Sequence, residues 1–207
     1  MSATSYLTVA RAGTGEIEVK RSRFLARVAP VDSEDAARAV VDAARKEHWD
    51  ARHHCSAFVL GPDASVQRSN DDGEPSGTAG APMLEVLRGR ELSDTVAVVT
   101  RWFGGTLLGA GGLVRAYSDA VRAGLDEVGV RRRVLLACFD LPAGHADAAR
   151  WEAELRGRGV RVLGVDHAER ATLHLAVPTP EVAAFEAQVA ALTAGTVLPV
   201  PAGETWV

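Results

Sequence analysis

Hydrophobic and polar positions change rhythm repeatedly along this chain. Residues 16–20, Glu-Ile-Glu-Val-Lys, alternate with period two, and residues 22–28 carry Phe24, Leu25 and Val28, so two strands are expected there. Arg21 and Arg23 interrupt the apolar residues there, which fits solvated edge positions or a charged face. Asp32-Ser33-Glu34-Asp35 then supplies capping and acidic first-turn residues. Ala37, Val40, Val41 and Ala44 follow at helical spacing, and Arg45-Lys46 close that helix with the sign its dipole favours. Residues 53–60 read as a strand, Gly61-Pro62-Asp63 as a turn, and residues 65–68 as a short partner strand. A short helix with Met83, Leu84, Val86 and Leu87 inward precedes Val96-Ala97-Val98-Val99, whose continuous apolar character fits an interior strand covered on both faces. From Leu113 the spacing is helical again. Leu113, Tyr117, Ala120, Val121, Gly124, Leu125 and Val128 form one stripe, with Arg115–Asp119 and Arg122–Asp126 as opposite charges four apart on the other side.

After Gly129 the pattern changes. Residues 1–14 read as a flexible leader, residues 15–129 as one domain, and residues 130–133, with Arg131-Arg132-Arg133, as a solvated linker. Residues 134–207 then repeat a different rhythm: strand 134–141, helix 144–156, strands 160–165 and 171–177, helix 181–192 and strand 195–200. The order βαββαβ over ~70 residues is the ferredoxin-like split unit. The expected fold class is therefore α+β in two domains.

The apolar fraction of 47% and charged fraction of 24% are those of a soluble globular protein. No apolar run is long enough to cross a bilayer, and no secretory signal is evident, so a cytoplasmic protein without a membrane partner is expected. Cys55 and Cys138 lie in apolar, strand-like stretches and read as buried reduced thiols. Residues 1–133 hold 18 Lys+Arg and 18 Asp+Glu, whereas residues 134–207 hold 5 and 9, so the whole net charge of −4 (5 − 9) lies in the C-terminal part. Composition alone thus does not advertise a nucleic-acid binder.

The candidate chemistry concentrates between Asp71 and Tyr117, where two polar, glycine-rich loops flank the interior strand. Asp71, Asp72 and Glu74 place three carboxylates within four residues, downstream of His48, His53 and His54. Their spacing matches no calcium loop, and adjacent histidines on a strand point to opposite faces, so an Asx-capped turn is the simpler reading and no metal is expected. Ser76 and Thr78 with neighbouring amides suit an anion, although no phosphate-loop lysine follows. The second loop, with Gly104, Gly105, Gly109, Gly111 and Gly112, opens a helix whose first amides and dipole favour an anion. Tight helix-to-strand packing explains such glycines equally well.

Asp71-Asp72-Gly73-Glu74-Pro75-Ser76-Gly77-Thr78-Ala79-Gly80-Ala81-Pro82 and the run from Arg101-Trp102-Phe103-Gly104-Gly105 to Gly111-Gly112-Leu113-Val114-Arg115-Ala116-Tyr117 resemble the two signature motifs of the YigZ/IMPACT family. Lys20-Arg21-Ser22-Arg23-Phe24 and His54-Cys55 support the match, and Trp102 stands where that family usually has tyrosine. The resemblance runs nearly end to end. It implies an N-terminal domain similar to the second domain of ribosomal protein S5. It also implies a C-terminal domain similar to the last domain of the translocation elongation factor. Eukaryotic relatives are implicated in restraining a stress-responsive initiation kinase by binding its activator.

Three functions are open on this basis. The first is a non-enzymatic, translation-linked protein that binds RNA or the ribosome through a positive groove formed by Arg23, Arg101, Arg115 and their neighbours. The second is a phosphate-handling enzyme with Asp72 or Glu74 as a base beside the loop at 109–112. The third is a protein-interaction module, with the acidic C-terminal domain as a docking surface. The first needs neither catalytic residues nor a cofactor, and its expected binding set is Asp72, Glu74, Thr78, Arg101, Gly104, Gly105, Gly109, Gly111, Gly112 and Arg115. Asp72, Glu74, Arg101 and Arg115 are expected to converge.

Overall fold

Strand Ser5–Val9 (β1) stands where a flexible leader was expected. The computed structural model describes residues 3–207, and residues 1–2 of that leader lie outside them. Leu7 forms a parallel bridge with Leu92, Ser93 N donates to Leu7 O at 2.8 Å, and Tyr6 and Val9 are buried. Three apolar residues in a five-residue strand are too short a run for periodicity to separate strand from loop. The chain divides into one unit ending at Arg132 and a second from Arg133 to Val207.

In the first unit, Gly13–Val19 (β2) and Ser22–Pro30 (β3) form a hairpin, followed by Glu34–Glu47 (α1). Ser33 caps α1, its hydroxyl accepting from Ala36 N at 3.2 Å, as the sequence pattern required. His53–Leu60 (β4), Val66–Asn70 (β5), Gly80–Gly89 (α2), Thr95–Trp102 (β6) and Ala110–Val128 (α3) complete the unit. The sheet runs β2-β3-β6-β4-β5 and is antiparallel throughout.

The uninterrupted apolar run of β6 follows from its central place. Val96 and Val98 join Ala29, Phe58 and the buried Ala37 and Ala44 of α1 on one face. Ala97 and Val99 join Phe24, Cys55, Met83 and Tyr117 on the other, beneath α2 and α3. Each buried Val contributes about 1.5–3 kcal/mol, so both helical layers are anchored on this strand. Helix α3 approaches the β2–β3 hairpin at backbone distance: a Cβ on Gly15 would stand 2.4 Å from the Ala123 carbonyl carbon. The apolar stripe of α3 is buried as its spacing predicted. Its charges pair differently. Arg122 reaches back to Asp119 at 2.7 Å, Asp126 meets Arg90 at 3.4 Å, and Arg115 turns to its own helix.

The arginine run expected as a linker opens a long strand, Val130–Ala143 (β7). His145–Gly157 (α4), Arg161–His167 (β8), Ala171–Pro178 (β9), Val182–Leu192 (α5) and Val200–Trp206 (β10) follow. The last strand begins where the sequence pattern had it ending. Order β10-β7-β9-β8, antiparallel throughout, is the ferredoxin-like arrangement. Phe139, Leu141, Trp151, Leu155, Leu173, Leu175, Phe185 and Val189 form its core. The fold class is thus α+β in two units, as the sequence implied.

Candidate functional site

Strand pairing brings the two signature loops together. Arg23 lies opposite Trp102, and Arg101 lies opposite both Phe24 and His53, so the start of β3, the start of β4 and the end of β6 form one end of the sheet. The loop at 71–79 enters α2 at this end, and the loop at 103–109 leaves it for α3.

The three clustered carboxylates are all engaged, each by a different element. Asp71 Oδ1 accepts from Ala79 N at 3.0 Å and Gly80 N at 2.8 Å, and its Oδ2 accepts from Gly77 N at 2.8 Å. It therefore serves as the negative group at the start of α2. Burial pushes its pKa up, but the amides of Gly77, Gly80 and Ala79 outweigh that and hold it below the ordinary aspartate value. Asp72, at φ 43°, pairs with Arg45 at 2.9 Å and accepts from His54 N at 2.6 Å. Its carbonyl meets His53 Nδ1 at 2.9 Å.

Glu74 is buried, 8% exposed, and its Oε1 accepts from Arg101 Nη1 at 2.6 Å and from the Tyr117 hydroxyl at 2.7 Å. Arg101 is 6% exposed, its Nε makes no hydrogen bond, and its guanidinium lies 5.4 Å from the Phe24 ring centroid. The Cys55 thiol donates to Asp71 O at 3.0 Å and lies 3.3 Å from the Tyr117 oxygen. Burial, with Glu74, Asp72 and Asp71 nearby, pushes this thiol up to about 12 against the hydrogen bond with Tyr117, so it stays protonated and is a poor nucleophile. Burial likewise raises the Tyr117 phenol far above its ordinary value. Thr78 is buried and donates to Pro75 O at 2.6 Å.

Of the four residues expected to converge, Glu74 and Arg101 pair directly and Asp72 lies two residues along the same loop. Arg115 does not join them: it is exposed, and its Nε donates to Gly111 O at 3.3 Å. Arg101 pairs inward, and Arg23 is held by Glu16 through two bonds of 2.8 Å. Arg23, Arg101 and Arg115 therefore do not form the positive groove expected of them.

Lys20 and Arg21, outside the binding set expected from the sequence, are exposed at this end and carry no ion pair among the described residues. They are the two loop residues of the β2–β3 hairpin, at φ 47° and φ 65°, between the paired residues Val19 and Ser22. Two consecutive left-handed residues make the type I′ geometry that usually takes Asn-Gly. Beneath them, Gly104 N donates to Ser22 Oγ at 3.1 Å, and a Cβ on Gly104 would stand 2.0 Å from the Arg21 carbonyl carbon. Arg21 Nη2 reaches Thr106 Oγ1 at 3.2 Å. Gly105, Gly109 and Gly111 have no atom within 4 Å of a would-be Cβ, so the backbone entering α3 is open on one side, whereas Gly112 packs on Leu108. Sequence alone does not mark Lys20 and Arg21 as this tip, because a basic dipeptide between two strand patterns holds no turn residue.

Among the described residues no cluster of three or more His, Cys, Asp or Glu is arranged to hold a metal ion. In the second unit, Asp140 and Asp166 bracket His174 at 2.7 and 3.1 Å, and these bonds raise its pKa. Spread over three strands, this cluster was not legible in sequence. Cys138 is only partly buried, against expectation, because it lies in β7 beside the shallow hollow lined by Leu163 and Ala202. No described helix is long and apolar enough to cross a membrane.

A family model described as the Impact N-terminal domain matches residues 20–125, and one described as a domain of unknown function, DUF1949, matches residues 142–196. The chain is 44% identical to a Bacillus subtilis protein named IMPACT family member YvyE, over 92% of this chain and 88% of that one. It is 40% identical to IMPACT family member YigZ of Escherichia coli, over 93% and 95%. A yeast protein named Protein IMPACT homolog shares 36% identity over 51% of this chain and 43% of its own. A crystal structure titled only as a hypothetical protein matches with TM-score 0.67 and 38% identity, over 95% of this chain and 97% of that one.

Proposed function

The chain belongs to the IMPACT family, and from that membership we propose that it is a non-enzymatic, translation-linked protein that binds RNA, free or in the ribosome. The contact surface is the end of the first unit where the β2–β3 hairpin tip, the loop at 104–112 and the start of α3 meet. One observation carries this reading: Lys20 and Arg21 are exposed, have no ion pair among the described residues, and are held in left-handed backbone over Gly104. Non-glycine residues in this region cost on the order of 1–3 kcal/mol each, and such conformations concentrate at functional sites. Two cations at a hairpin tip, beside the amides opening a 19-residue helix, form a surface for a phosphate backbone.

In this reading Gly104, Gly105, Gly109, Gly111 and Gly112 bring the main chain close to phosphate, and Arg115 flanks them. Asp72, Glu74, Thr78 and Arg101 shape the loops from beneath without touching the ligand. The engaged carboxylates and the protonated Cys55 thiol favour binding over catalysis.

Titration of labelled RNA and of purified ribosomes across a salt series tests the proposal. Lys20→Ala/Arg21→Ala is expected to weaken binding uniformly across sequences and to reduce the slope of log K against log salt by roughly 1–2. Absence of binding at low salt, with RNA and ribosome alike, would remove the proposal and favour a protein partner.

A further inference from the structure

Phosphate contacts alone do not distinguish a duplex from a single strand; exposed aromatic rings do. Three aromatic residues stand at the same end of the sheet. Trp49 is 83% exposed and Phe103 is 53% exposed, both high for large apolar side chains. Trp102 precedes Phe103 in sequence and touches both residues that flank Trp49. Its indole Nε1 donates to Asp50 at 2.8 Å, its ring meets His48 edge-on at 5.3 Å, and Arg23 lies over it at 4.5 Å. Trp49 is thus bracketed by two residues that hold Trp102, and Phe103 follows Trp102 directly, with the Arg101 guanidinium 5.7 Å from its ring centroid.

Cations stand at the same end of the sheet. Arg23 covers Trp102, and Lys20 and Arg21 form the adjoining hairpin tip over Gly104. Exposed rings beside cations match a backbone that is negative and bases whose faces are free. In a duplex the bases are already stacked on each other, and these rings would have nothing to cover.

Resting on the RNA reading above, we infer that the ligand is single-stranded RNA and that Trp49 and Phe103 stack on its unpaired bases. The two rings provide affinity without reading sequence, because every base has a stacking face. The experiment compares a labelled single strand with a duplex of equal length, using the full chain and the exposed-site variants Trp49→Ala and Phe103→Ala, with Trp49→Phe and Phe103→Tyr as conservative partners. Thermal unfolding checks that each variant keeps its fold. Single-strand affinity is expected to fall roughly ten-fold in each alanine variant, with the salt slope unchanged, and to be largely restored by the conservative ones. Duplex binding at equal strength, or alanine variants that bind the single strand normally while Lys20→Ala/Arg21→Ala still weakens it, would overturn this inference and leave the RNA reading standing. No RNA binding at all would overturn both.

Discussion

Glu74 accepts two hydrogen bonds on one buried oxygen, so removing it leaves Arg101 charged and enclosed and Tyr117 without its acceptor. Breaking a buried pair from one side costs about 3–5 kcal/mol, whereas replacing both partners with apolar groups is often close to neutral. Glu74→Ala is therefore expected to destabilise the protein by about that amount, and Glu74→Leu/Arg101→Met to recover most of the loss, as read by thermal unfolding of the variants. Additive losses in the double variant would contradict a closed pair. The sequence marked Glu74 and Arg101 as chemically charged residues inside glycine-rich motifs, and that much was legible. Their burial was not, because it depends on Tyr117 arriving from 43 positions away on α3. Tyr117 itself reads as one more member of an apolar stripe, since periodicity reports a ring and not the partner of its hydroxyl.

Among the elements, α2 is notable because no residue at its own N-cap bonds its first turn. Asp71 does so instead, from eight and nine residues upstream, through Ala79 N and Gly80 N. Its folded pKa is depressed, so its contribution is present above the unfolded value and is lost as pH falls through the folded one. Asp71→Asn is expected to cost about 1 kcal/mol at pH 7, and the gap to the parent protein should close as pH drops below the ordinary aspartate range. Chemical denaturation at both pH values checks this; a gap that stays constant with pH would rule out the carboxylate as the cap. The Asx-turn reading of this segment expected its side chains to cap their own local backbone. It missed the length of the reach, because cap patterns in sequence are local.

Over the whole molecule, the two rhythms along the chain matched the two units, and the interior strand was legible from its unbroken apolar run. The hairpin tip was not. Lys20 and Arg21 carry no turn signature, and their backbone lies so close over residue 104 that only a glycine fits there. The proposed division of labour rests on this geometry: the engaged carboxylates and Arg101 hold the signature loops in shape, while hairpin cations and open backbone are left to meet the proposed RNA. Hydrogen exchange of the protein with and without bound RNA tests that claim most directly. Protection at residues 19–22 and 103–113, with residues 133–207 unchanged, is the predicted result. Protection confined to residues 133–207, or absent from the hairpin tip and the start of α3, would contradict it.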